Sequence, residues 1–137
     1  MDQVKNNNIN NIPPPNGFQT INVGIVGGAG YTGGELIRLL INHPNANIAS
    51  VLSRSNAGKP VDSVHQDLIG EANLLFTDDN SFLTDGSIDV LFLCAGHGEA
   101  KKFLQENKIN EEVRIIDLSQ DFRLKAHDSF ENRKFIY

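Results

Sequence analysis

The stretch Val23 to Leu36, VGIVGGAGYTGGEL, breaks an apolar run with glycines at positions 27, 28, 30 and 33. Gly27, Gly30 and Gly33 read as GxxGxxG, and Gly28, Gly30 and Gly33 also satisfy GxGxxG. Bare backbone of this kind is suited to holding an anion. Without Cβ atoms the chain turns tightly and lets a diphosphate reach its N–H groups, while a following helix adds the partial positive charge of its amino end. Tyr31 and Thr32 fall on the first turn of that helix, so Gly27, Gly28, Gly30, Tyr31, Thr32 and Gly33 form the first candidate set, for a dinucleotide. Thr32 and Glu35 fit a T-x-x-E capping box that would fix the helix start. A glycine-rich turn with no ligand is the alternative. No Lys-Ser/Thr pair follows the glycines, so a triphosphate-binding P-loop is excluded.

In dinucleotide sites an acidic residue about twenty positions further on grips the adenosine ribose. Ser53, Arg54 and Ser55 stand there instead. A carboxylate would repel a 2′-phosphate, whereas a guanidinium between two hydroxyls offers it charge-assisted donors, so the expected cofactor is NADP rather than NAD. Lys59 could add charge at the same rim, and an ordinary surface arginine is the alternative for Arg54.

Cys94 and His97 invite a nucleophile–base reading. Cys94, however, sits inside an apolar strand, where a free cysteine behaves as a small buried hydrophobe. Gly96 and His97 follow that strand and are candidates for a loop passing under the dinucleotide, with helix capping as the alternative for His97. In Ile115 to Leu124, IIDLSQDFRL, a strand delivers Asp117, Ser119, Asp121 and Arg123 to the same side. Arg123 could hold a phosphate or carboxylate bidentately, or could pair with an aspartate inside the loop. His43, His65 and His127 show no ligand spacing, and no metal site is expected.

The elements that must position these residues follow from the apolar pattern. Ile21 to Val26 reads as a buried strand, Leu36 to Ile41 as the apolar face of a helix stopped before Pro44, and Ile48 to Leu52 as a second strand. Val61 to Phe76 is harder to read, with a short helix and a short strand at Leu74 to Phe76. Ile88 to Gly96 is a continuously apolar strand, followed by a helix over 98–107 and a strand over Val113 to Leu118. This alternation predicts an α/β fold: a doubly wound, mostly parallel, Rossmann-like sheet whose ligands lie at the carboxyl ends of its strands. The Asn- and Pro-rich residues 1–19 read as a disordered tail and 20–137 as the dinucleotide-binding domain. A formal charge of -5 argues against nucleic acid, and no apolar run has the roughly 20 residues of a membrane span. A single cysteine and no targeting pattern fit a cytoplasmic protein.

Taken together, GIVGGAGYTGGELIRLL, AGKP, DVLFLCAGHGEA and IIDLSQDFRL resemble, in order and spacing, the amino-terminal cofactor domain of the N-acetyl-gamma-glutamyl-phosphate reductase family of arginine biosynthesis. Gly28 and Gly34 are small departures from it. The resemblance runs from Val23 to the closing FIY, which looks like the start of that family's Tyr-Gly-Leu-Pro-Glu segment. It implies NADPH-dependent reduction of an acyl phosphate to a semialdehyde through a cysteine thioester. By resemblance, Gly27 to Gly33 hold the pyrophosphate, Ser53 to Ser55 the adenosine end, Gly96 and His97 the cofactor loop, and Ser119 and Arg123 face nicotinamide and substrate phosphate. The family's catalytic cysteine and histidine fall in later segments, so no catalytic residue is expected here. The chain should be inactive alone, with an oligomer or a complementing carboxyl-terminal half as its expected partner. A stand-alone NADP-binding module, an inactive paralogue, or a reductase for an aspartyl or aminoadipyl phosphate are the competing expectations.

Overall fold

Strand β1 (Ile21–Val26) is the centre of the computed structural model, and its side chains alternate between two cores. Val23 and Ile25 join a cluster with Ile37, Val51 and Phe76, while Val26 joins Leu52, Leu91, Leu93 and Leu104 on the other side. Period-two alternation sends apolar groups to both faces, which is why this strand reads as continuously hydrophobic. Gly24 belongs to the second face. A Cβ there would stand 2.8 Å from a ring carbon of Phe82, so the glycine admits that ring against the sheet. Residues 17–123 and 129–136 are described; segments 1–16 and 124–128, with His127, and Tyr137 lie outside the described residues.

The chain continues through α1 (Tyr31–Leu40), β2 (Ala46–Leu52), β3 (Phe76–Thr77), β4 (Val90–Leu93), α2 (Glu99–Glu106) and β5 (Arg114–Asp117). The five strands form one parallel sheet in the order β3-β2-β1-β4-β5. The chain steps outward from β1 to β3 and then returns to β4 on the other side of β1. Loops leaving β1 and β4 therefore diverge to opposite faces and leave a crevice at the carboxyl ends. α1 contributes Ile37 to one core and α2 contributes Ala100 and Leu104 to the other, so the sheet is covered on both faces as expected. No helix among the described residues is long and apolar enough to cross a membrane.

Several boundaries differ from the sequence reading for local reasons. β2 begins at Ala46 rather than Ile48, because Ile21 N–H donates to the Asn45 carbonyl at 2.7 Å and Ile21 pairs with Ala46. The capping box does not form. Gly30 is the cap residue with no side-chain cap bond, Thr32 lies inside the helix, and Glu35 pairs with Arg38 at 2.6 Å instead. The hard-to-read region holds 3₁₀ turns at Val61–Ser63 and Gln66–Leu68, with Val61 N–H donating to the Leu74 carbonyl. An unexpected hairpin of β6 (Ser129–Phe130) and β7 (Arg133–Lys134) is tied to the approach to β5 by Arg133 Nη2, which donates to the carbonyls of Asn110 and Val113.

Candidate functional site

The turn between β1 and α1 is built so that only glycine fits at three of its positions. Gly27 has φ +78°, and a Cβ on it would lie 2.8 Å from the carbonyl carbon and oxygen of Cys94 at the end of β4. On Gly28 it would overlap Val51 Cγ1, and on Gly33 it would stand 2.5 Å from the Gly27 oxygen. Gly33 therefore seats α1 directly on the turn. Gly30 is different: its nearest neighbour would be the Gly27 oxygen at 3.7 Å, an ordinary contact, so nothing in the fold crowds it. The first i→i−4 bond of the helix runs from Gly34 N–H to the Gly30 carbonyl at 2.9 Å. The N–H groups ahead of it belong to the helix's positive end. Ala29 N–H takes no acceptor among the described residues. Tyr31 and Thr32 are exposed on the first turn, Tyr31 almost completely.

Beside this cradle, Gly28 N–H donates to the Leu52 carbonyl at 3.3 Å, which joins the turn to the end of β2. Ser53 follows in extended conformation and Arg54 to Asn56 form a 3₁₀ turn with Arg54 and Ser55 exposed. Asn56 Nδ2 lies 3.2 Å from both the Ser53 and the Ser55 hydroxyl oxygens. One amide thus organises both hydroxyls around the arginine, a role the sequence reading missed. Lys59 is exposed further along the same loop.

At the end of β4, Gly96, His97 and Gly98 form an exposed loop, with Gly98 left-handed at φ +81° as the cap residue of α2. Capping does not come from His97. It comes from Asp121, whose Oδ1 accepts from Gly98 N–H at 2.6 Å and whose Oδ2 accepts from Lys101 N–H at 2.9 Å. Burial raises the Asp121 pKa, but the donated N–H groups and the nearby His97 outweigh it and hold the carboxyl below its usual range. Ser119 is buried; its hydroxyl donates to Asp117 Oδ2 at 2.9 Å and accepts from Asp121 N–H at 3.1 Å. Its proton is committed, which leaves an acceptor lone pair for any ligand. Arg123 is exposed at the end of this loop.

Cys94 is buried beneath the cradle. Burial, and then the Asp117 carboxylate, push its thiol up to about 12. It is therefore a thiol rather than a thiolate at neutral pH and lacks the form a nucleophile needs. Among the described residues no three His, Cys, Asp or Glu side chains cluster as metal ligands.

Residues 22–136 match the profile of the semialdehyde dehydrogenase NAD-binding domain. The chain belongs to this family. Curated relatives include the N-acetyl-gamma-glutamyl-phosphate reductases of Christiangramia forsetii, 50% identical over 117 residues, and Bacteroides fragilis, 52% identical over 117 residues; each match covers 85% of this chain. Another, from Azobacteroides pseudotrichonymphae, is 55% identical over 107 residues and 78% of this chain. The chain spans only 34%, 34% and 33% of those relatives' lengths. The aspartate semialdehyde dehydrogenase of Candida albicans, solved with NADP, shares the fold with a TM-score of 0.60 at 17% identity, covering 78% of this chain and 32% of that one. The resemblance read from the motifs is thus shown, and so is the Rossmann-like sheet.

The semialdehyde dehydrogenase NAD-binding domain implies a dinucleotide, and the cradle fits one. Uncrowded backbone at Gly30, glycine-only packing beneath it and the amino end of α1 are what a diphosphate requires. The roles of two residues, Asp121 and His65, escaped the sequence reading because their partners are distant in the chain. Asp121 caps a helix 20 or more residues before it, and His65 reaches the carbonyl of Gly28, 37 residues away.

Proposed function

We propose that this chain is the NADP-binding part of an N-acetyl-gamma-glutamyl-phosphate reductase, a cytoplasmic enzyme that reduces an acyl phosphate to a semialdehyde. Identity of about half to named reductases supports the substrate class. The observation that carries the cofactor choice is Arg54, exposed between two organised hydroxyls at the end of β2, where a ribose-binding carboxylate would otherwise stand.

When bound, NADPH supplies the hydride. The glycine turn holds its diphosphate on backbone N–H groups, and Arg54 with Ser53 and Ser55 binds the 2′-phosphate. Gly96 and His97 would form the loop passing under the dinucleotide, steadied by the Asp121 cap on α2. Arg123 is proposed to bind the phosphoryl group of the substrate, while Ser119 chiefly braces its loop. The protonated Cys94 does not serve as nucleophile. That group is assigned to the part of the relatives this chain does not span.

The test joins this chain to the carboxyl-terminal portion of the Bacteroides fragilis relative and follows phosphate-dependent NADP reduction with N-acetylglutamate semialdehyde. The joined protein should turn over and the chain alone should not. A folded, NADP-bound fusion without activity would overturn the substrate assignment, and turnover by the chain alone would give Cys94 the role denied to it here.

A further inference from the structure

We infer that His65 is a positioning residue for the cofactor, one that aims a backbone amide of the glycine turn at the dinucleotide diphosphate. The inference rests on the NADP reading and assigns to it a residue outside the glycine motif and the Ser53 to Ser55 segment.

His65 is half-buried and comes from the segment joining β2 to β3, where it follows the 3₁₀ turn Val61–Ser63. Its backbone is anchored on both sides, with His65 N–H donating to the Val61 carbonyl and Leu68 N–H donating to the His65 carbonyl, each at 3.0 Å. Nε2 lies 2.6 Å from the Gly28 oxygen. A carbonyl can only accept, so Nε2 carries the proton and donates.

The same ring packs against α1. A Cβ on Gly34 would stand 2.6 Å from both Cε1 and Nδ1 of His65, so Gly34 is glycine because the imidazole occupies that space. On the remaining side Phe76 approaches with its ring centroid 6.4 Å away. The imidazole is wedged between the helix, the turn and the sheet. Gly28 and Gly34, on the turn and on the helix, are thus both met by the one ring.

The peptide joining Gly28 to Ala29 is planar and trans, because the described chain has no cis bonds. In a trans peptide the C=O and N–H point in opposite directions. Fixing the Gly28 carbonyl on His65 therefore turns Ala29 N–H away from the imidazole, and that N–H takes no acceptor among the described residues. Without the imidazole the peptide could rotate, since glycine imposes little torsional restraint. The segment carrying Arg54 would thus serve the cofactor twice, at its 2′-phosphate and, through His65, at its diphosphate.

The experiment titrates the full chain with NADPH as wild type, His65→Leu, His65→Gln and Gly34→Ala, alongside thermal melts and the Ala29 amide resonance. His65→Leu should weaken NADPH roughly five- to tenfold, the effect of one lost ordering hydrogen bond. His65→Gln, which keeps a donor, should recover most of that loss. Gly34→Ala, a better helix residue that displaces the ring, should reproduce it. In wild type the Ala29 amide should shift on NADPH saturation, and in His65→Leu it should shift less. Folded His65→Leu and Gly34→Ala proteins binding within twofold of wild type would overturn the role of His65 alone; if His65→Leu does not fold, Gly34→Ala decides. Absence of NADPH binding by wild type would instead overturn the cofactor reading, and the role of His65 with it.

Discussion

Asp121 Oδ1 accepts a hydrogen bond of 2.6 Å from Gly98 N–H, tying the loop after β5 to the loop after β4. Two segments that face the crevice are thereby made one unit. Its second oxygen serves Lys101, so a single carboxylate satisfies two of the open amides of α2. Asp121→Ala should therefore cost about 1–2 kcal/mol in urea unfolding at neutral pH, the usual worth of a helix cap. Because the folded-state pKa is depressed, this contribution is fully present above the ordinary 3.8 and is lost as pH falls through the lower folded value. Wild type and variant should converge in stability on acidification below that point, and a gap that stayed constant would show that the carboxylate charge is irrelevant.

Cys94 should resist alkylation in the native protein at pH 8 and react promptly in urea. Its folded pKa, raised from 9.0 to about 12, keeps the thiol protonated. The sign for stability is opposite to that of Asp121: the contribution is complete below the unfolded value and is lost as pH rises from 9.0 towards 12. Cys94→Ala should remove that alkaline loss and leave NADPH binding unchanged. Rapid labelling of the folded chain by iodoacetamide would refute the burial argument.

Gly30 and Gly33 separate binding from folding. A Cβ at Gly33 meets the backbone of Gly27 and Gly28, so Gly33→Ala should destabilise by about 1–3 kcal/mol, as overpacking does. At Gly30 the same atom comes no closer than 3.7 Å, to the Gly27 oxygen, an unstrained contact, and Gly30→Ala should melt like wild type. It should nevertheless weaken NADPH roughly tenfold or more, because the methyl group stands where the diphosphate would lie. Equal affinity in Gly30→Ala would move the diphosphate away from this turn.

Much of this was written in local patterns. The cradle, β1 and the core strands were legible because buried parallel strands are continuously apolar and glycines between strand and helix have few other uses. Thr32 and Glu35 misled because a capping box is a local preference, and the helix begins at Gly30, where the turn geometry places it. His65 and Asp121 were not assigned these roles because each bonds a backbone group far away in sequence, which no spacing encodes. The same holds for the 3₁₀ turns between Val61 and Leu68, which are held partly by β3-side contacts such as Val61 N–H to the Leu74 carbonyl. Ser119 was named as a ligand residue through the family resemblance; what its spacing did not show is that the fold buries it, with its hydroxyl bonded to Asp117 Oδ2 and to Asp121 N–H.

The central claim is that the glycine turn and Arg54 together select NADP, and calorimetric titration of the folded chain with NADPH and NADH, repeated on Arg54→Asp, tests it most directly. NADPH should bind wild type roughly ten- to hundredfold more tightly than NADH, as expected for charge-assisted bonds to the extra phosphate, and Arg54→Asp should erase that preference. A folded wild-type chain that binds neither nucleotide, or an Arg54→Asp variant that keeps full NADPH affinity, would contradict it.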